Sequence, residues 1–171
     1  MDRSMLASMR EVETTHWWFV ARRELLLAVM DKCVPPNAGV LLDVGCGTGA
    51  NLEALAWRFP ELTAIGLDAD PFCRAACEAR GLRVCDASAE ALPVDDNSQD
   101  VITALDVLEH LDDDVSALQE MARTLSPDGY LILGGGETTL TVGDTFVPVQ
   151  FGRTIGYQRT TTGNRPRRAA A

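Results

Sequence analysis

Apolar positions along the chain recur at two periods, and the segments that carry them alternate. From His16 to Cys33, Trp18, Ala21, Leu25, Ala28 and Val29 keep helical spacing, with Thr14 or Thr15 as a cap and Pro35-Pro36 just past the end. Val40 to Val44 is a short apolar run that ends in glycines, which predicts a buried strand. Leu52, Leu55, Ala56 and Phe59 mark a second helical face, and Leu62 to Leu67 a second strand. Asp70 and Pro71 open a third helix with Phe72, Ala75, Ala76 and Ala79 on one face, and Gly81 ends it. Short strands follow at Leu82–Cys85 and Asp100–Leu105. Asp112-Asp113-Asp114 caps a helix carrying Val115, Leu118, Ala122 and Leu125, and Pro127-Asp128-Gly129 turns into a strand over Tyr130–Leu133. Helices and strands in alternation with short loops predict an α/β fold: a doubly wound, mostly parallel Rossmann-like sheet in three layers, αβα. Ligands of such sheets bind beyond the carboxyl ends of the strands.

The chemistry falls at those ends. Asp43-Val44-Gly45-Cys46-Gly47-Thr48-Gly49 runs from a strand through a glycine-rich turn into a helix. Glycines there let a ligand approach the backbone, and the helix directs its amides toward it. Asp68 closes the next strand, 19 residues after Gly49, where a carboxylate can accept from a ribose diol. Together they read as recognition of an adenosine-like ligand; the blander readings are an empty turn and a helix cap, although Asp70 is better placed to cap. A nicotinamide dinucleotide site expects G-x-G-x-x-G, whereas here the third glycine comes one residue early and Ala50 takes the later place.

The stretch Asp43 to Gly49 resembles, letter for letter, the first motif of class I S-adenosylmethionine-dependent methyltransferases, and the chain resembles their methyltransferase type 11-like group. Ser88-Ala89-Glu90-Ala91-Leu92-Pro93 is similar to that group's adenine loop. Asp95 to Ile102 resembles its approach to the fourth strand, Leu105 to Leu111 its "VLEHL" segment, and Leu125 to Gly129 its "LKPGG" turn. His16-Trp17-Trp18-Phe19 with Arg22-Arg23 resembles the opening of bacterial members. The resemblance spans residues 11 to 136. It implies S-adenosyl-L-methionine as cofactor. It places Gly45, Cys46, Gly47 and Gly49 against the cofactor's amino-acid part and has Asp43 steady the loop. It also puts Asp68 on the ribose hydroxyls, Ala69, Ser88 and Ala89 at the adenine, and Leu105 and Asp106 near the methionine end. Asp86 is a substitute for Ser88, which stands where many relatives carry an aspartate.

A methyl transfer needs alignment of a nucleophile with the activated methyl, and a base only where the nucleophile must lose a proton. His110 is the one candidate base, since a histidine side chain titrates near neutrality; holding the loop before the Asp112 helix is its structural alternative, and Glu109 shares that ambiguity. His16, Trp17 and Trp18 read either as a lid or as packing for the first helix.

Composition adjusts this picture in three ways. The net charge of −10 argues against nucleic-acid partners. The apolar runs are too short to predict membrane insertion, and Met1 to Arg10 lacks a signal-peptide core, so the expected location is cytoplasmic. Five cysteines without a CxxC pair predict reduced, mostly buried thiols and no metal site.

Charge and pattern both change late in the chain. Residues 145–171 hold five arginines and no acid, which leaves −15 on the rest. The expected division is a cofactor-binding core over 1–136 and an atypical tail over 137–171. In that tail Thr139–Val142 and Thr145–Val147 form a hairpin about Gly143-Asp144, and the rest is disordered from Gly152. The last strands of a seven-strand sheet are then absent or replaced. The Arg-, Thr-, Gly- and Pro-rich ending suits a frame-shifted reading, with an open sheet edge available to a homodimer. The function expected is methyl transfer to a small-molecule acceptor. The alternatives are a cofactor-binding remnant without turnover and, disfavoured by the glycine spacing, a nicotinamide-dependent oxidoreductase.

Overall fold

The computed structural model describes residues 3–34, 36–135, 146–151 and 154–159, the last two segments through their backbone alone. Two helices open the chain, α1 (Arg3–Val12) and α2 (Trp17–Cys33). Then come β1 (Val40–Val44), α3 (Ala50–Arg58), β2 (Thr63–Leu67), α4 (Pro71–Ala79), β3 (Val84–Cys85) and β4 (Gln99–Leu105). A 3-10 turn (Leu108–His110), α5 (Asp114–Thr124), β5 (Leu125–Gly134), β6 (Phe146–Phe151) and β7 (Thr154–Arg159) complete the order.

The seven strands form one sheet in the order β3-β2-β1-β4-β5-β7-β6. β1 to β5 are parallel and β7 runs antiparallel to both β5 and β6. Both faces are buried, and neighbouring residues on one strand serve opposite layers. Leu42, Ile102 and Leu131 pack with Ala117 and Met121 of α5, while Leu41, Val101 and Ile132 pack with Leu26, Val29 and Met30 of α2 and Leu52 and Leu55 of α3. That is why these strands read as continuous apolar runs rather than alternating ones.

Several expectations are corrected. Among the described residues β7 and β6 stand as the last two strands, and β7 takes the edge of β5 that was expected to stand open. The hairpin lies later than expected, with Phe151 paired to Thr154 across the two-residue link 152–153, and residues 154–159 are a strand. Residues 139–142 lie outside the described residues. Pro148 sits on the outer strand β6, the kind of edge position in a sheet that tolerates a proline.

The helical faces turn by about one residue from the expected ones. α2 buries Leu26, Val29 and Met30 and leaves Leu25 40% exposed, because residues 25–30 are apolar all round and only the sheet chooses a side. α4 buries Cys73, Ala76 and Cys77, and α5 buries Ala117 and Met121 while Val115 is exposed. His16, not a threonine, caps α2, its Nδ1 accepting from the Trp18 N–H at 3.4 Å. Asp70 caps α4 and Asp113 caps α5. α1 was not anticipated from the pattern.

Candidate functional site: a cleft at the strand carboxyl ends

Val44 pairs with Leu67 on one side and with Ala104 on the other. The residues that follow these strands, Gly45, Asp68 and Asp106, therefore emerge together at one rim. They border a cleft of about 730 Å³. Cys46, Gly47, Thr48, Ala69, Cys73, Leu105, Glu109 and His110 line it as well. α1 and α2 form its opposite wall through Leu6, Met9, Glu13, Trp18, Phe19 and Arg22.

The glycine turn is shaped by contacts that only glycine permits. Gly45 has φ +66°, and a Cβ there would lie 2.5 Å from Val107 Cγ2. Gly47, at φ +56°, faces open space, so its backbone is bare to the cleft. The Gly47 N–H donates to Asp68 Oδ2 at 2.9 Å and the Asp70 N–H to Asp68 Oδ1 at 2.8 Å. Asp68 thus ties the turn to the end of β2. A carboxylate has about four acceptor sites, so each oxygen keeps one for a ligand hydroxyl.

Beneath the turn lies Asp43, fully buried. Its Oδ1 accepts from Thr103 Oγ1 at 2.6 Å, and Oδ2 has no partner among the described residues. Burial pushes its carboxyl up to about 7, the Thr103 bond opposes this, and the nearby Asp68 charge adds to it. A buried acceptor left unmatched under a glycine turn fits a site made for a cationic amine reached through water.

At the other end, Asp106 has φ +55° and its N–H donates to the Gly134 carbonyl at 2.6 Å. Its carboxylate pairs with Arg22, whose guanidinium lies 4.5 Å above the Trp18 ring. Trp18 and Phe19 meet edge to face at 4.9 Å. His110 is exposed at the cleft, and its backbone N–H donates to the Val107 carbonyl at 2.9 Å.

Not every expected residue reaches the cleft. Ser88 is exposed and donates to Glu90, Ala89 packs in the core, and Gly49 sits behind the turn beside Leu82 and Cys77. Asp86 pairs with Arg74 at 3.0 Å. Conversely, Glu13 carries a contact that no spacing signals. Its buried carboxylate accepts from Thr48 of the glycine turn and from Arg80 Nη2 at 2.5 Å, while Arg80 Nε donates to the Thr48 carbonyl at 3.0 Å. Arg80 also pairs with Glu53 at 2.5 Å, so its guanidinium is satisfied on three sides.

A doubly wound sheet of this order, with a glycine turn, a following acid and an unmatched carboxylate beneath, defines an S-adenosylmethionine-binding methyltransferase fold. The chain belongs to the family described as methyltransferase domain, matched over residues 42–133. A demethylmenaquinone methyltransferase of Roseiflexus castenholzii is 34% identical over 137 residues, covering 77% of this chain and 55% of that protein. A trans-aconitate 2-methyltransferase of Methylobacterium radiotolerans is 35% identical over 91 residues, covering 53% and 35%. Among solved structures, one from Methanococcus maripaludis described as an S-adenosyl-L-methionine-dependent methyltransferase superposes with a TM-score of 0.76 over 94% of each chain. At 16% identity that likeness speaks to the fold alone. The [4+2]-cyclase SpnF is 28% identical with a TM-score of 0.61, covering 68% of this chain and 46% of its own. The chain spans about half the length of the first curated relatives it matches, 55% and 44%. S-adenosyl-L-methionine is the cofactor of this fold. Among the described residues no helix is long and apolar enough to cross a membrane.

Proposed function

We infer that this chain binds S-adenosylmethionine in the cleft and transfers its methyl group to a small-molecule acceptor by in-line displacement. The observation that carries this reading is one continuous cleft that joins the bare turn at Gly47 and the Asp68 carboxylate to Asp106 and His110. The cofactor supplies a methyl group activated on a sulfonium. Gly45 and Gly47 bring backbone against its amino-acid part, Asp68 accepts from its ribose, and Ala69 flanks its base. Leu105 and Asp106 border the methyl end, where Trp18 and Phe19 exclude water from the acceptor's approach. His110 is the residue in reach of a proton leaving the acceptor; its exposed position also suits holding the loop. Ser88 and Ala89 have a part only if the loop carrying them moves toward the adenine. The chain works without a metal ion or nucleic acid, in the cytoplasm.

A second reading is a cofactor-binding chain without methyl turnover, favoured by the likeness of its fold and sequence to a protein described as a [4+2]-cyclase. Calorimetric titration with S-adenosylmethionine and S-adenosylhomocysteine, with NAD as control, tests the first half of the inference. Micromolar binding of the sulfur ligands and none of NAD supports it; NAD binding alone would sink it. Transfer of a labelled methyl group to any small acceptor then separates an enzyme from a remnant. Loss of turnover with retained binding in His110→Ala would assign the base. Translating the other reading frames of the coding DNA tests the frame-shifted tail, which is excluded if none resumes a family-like ending.

A further inference from the structure

Two thiols meet beneath the glycine turn and play no part in the chemistry above. Cys46 Sγ lies 3.7 Å from Cys77 Sγ, and Cys77 Sγ is 3.3 Å from the Gly47 carbonyl oxygen. Cys46 borders the cleft, while Cys77 is fully buried on α4. Among the described residues no other cysteine pair is in contact: Cys73 faces the cleft alone, and Cys85 donates to the Gly66 carbonyl. We propose that Cys46 and Cys77 are a redox-modification site, in which a small oxidant entering the cleft converts the pair to a disulfide that disables the glycine turn.

The chemistry balances with a peroxide as oxidant. Cys46 is oxidised to a sulfenic acid as the O–O bond breaks and one water leaves. The Cys77 sulfur then attacks the Cys46 sulfur, the S–S bond forms, and the sulfenic oxygen leaves as a second water. Cys77 Sγ donates to the Gly47 carbonyl, and either thiol can donate to the other across their contact. That contact holds the Cys46 thiol well above its ordinary range and, with the Arg80 cation, holds Cys77 below it. Cys73 is pushed up to about 12 by burial and has no such partner.

A disulfide has its sulfurs about 2.05 Å apart, so the pair must close by roughly 1.7 Å. Cys46 then moves toward α4. The turn carries the Gly47 bond to Asp68 and the Cys46 N–H bond to the Leu67 carbonyl at 3.0 Å, and it cannot follow without weakening one of them. The functional consequence rests on the cofactor reading; formation of the cross-link does not.

The test treats the reduced full-length chain with equimolar hydrogen peroxide, blocks remaining thiols and maps peptides without reduction. The expected product joins the Cys46 and Cys77 peptides, is lighter by two hydrogens and is reversed by dithiothreitol. Cys77→Ala should instead yield a dimedone adduct on Cys46. Oxidation spread over Cys73 and Cys85 with no such cross-link would overturn the proposal. S-adenosylhomocysteine should slow the cross-link, and the oxidised chain should bind it roughly tenfold more weakly, with dithiothreitol restoring affinity. Unchanged affinity in the cross-linked chain would overturn the disabling role. Failure of the reduced chain to bind that ligand would instead count against the cofactor reading, with the cross-link judged on its own.

Discussion

The two walls of the cleft are held by different means. On the sheet side, the glycine turn is fixed by backbone groups: Gly47 and Asp70 donate to one carboxylate, and Gly45 fits against Val107 with no side chain of its own. On the helical side, α2 packs on the sheet through Leu26, Val29 and Met30, and the contacts that border the cleft are charged side chains, Glu13 to Thr48 and Arg80 and Arg22 to Asp106. Backbone placement gives a rigid bed with little entropy to lose on binding. The more exposed of these, Arg22 with Asp106, can open and close, because an ion pair near the surface contributes little to stability. The sheet side should therefore govern whether a ligand binds at all, and the helical side how easily it enters and leaves.

The largest expected effect is from Asp68→Ala, which removes the acceptor for the Gly47 and Asp70 amides and, on the proposed function, for the ribose. Calorimetry should show S-adenosylhomocysteine affinity lower by about 100-fold. Gly45→Ala comes next. Its Cβ meets Val107 in a left-handed conformation, so denaturant unfolding should show a loss of about 2–3 kcal/mol, part of it recovered in Gly45→Ala with Val107→Ala.

Asp43 probes the bed from below. Its carboxyl sits near 7 in the folded chain against 3.8 as its ordinary value, so the folded state holds the proton more tightly. The contribution is fully present below about pH 4 and is lost as pH rises toward 7, on the order of 4 kcal/mol across that window at about 1.4 kcal/mol per pH unit. Asp43→Asn should flatten this part of the stability profile between pH 4 and pH 8. A profile as steep in the variant as in the parent would assign the slope to other groups.

The smallest effect belongs to the helical wall. Glu13→Gln keeps the shape and removes the charge opposite Arg80. Ligand affinity should fall about threefold, with unfolding free energy lower by roughly 1 kcal/mol. Faster proteolysis between α1 and α2, suppressed by S-adenosylhomocysteine, would show that this wall opens. An effect as large as that of Asp68→Ala would erase the distinction between the two walls.

The legible parts of this chain were those written in neighbouring residues. β1 is found at the bounds its apolar run predicts, and Asp70 with Pro71 starts α4 as a cap and first turn should. Gly45 and Asp68 come together because each directly follows a parallel strand, and Gly47 lies two residues further along the turn. The helical faces were less legible. Leu25 to Met30 is apolar all round, and Cys73 and Cys77 lie inside where Phe72 and Ala75 had seemed the inner face. α1 is amphipathic, with Leu6 and Met9 three apart at the cleft, yet where it sits depends on Glu13 just past its end meeting Thr48 across 35 residues.

By itself the sequence determined the alternation of elements, the glycine turn with its acid, and the family, since these rest on local periodicity and on spacings within one β-α-β unit. Only the tertiary structure decided which side of each helix is buried, where the last hairpin turns, and that Cys46 touches Cys77 and Arg22 closes on Asp106. Those contacts join segments 31 and 84 residues apart, and their partners are chosen by the packing of whole layers on the sheet rather than by any neighbour in the chain.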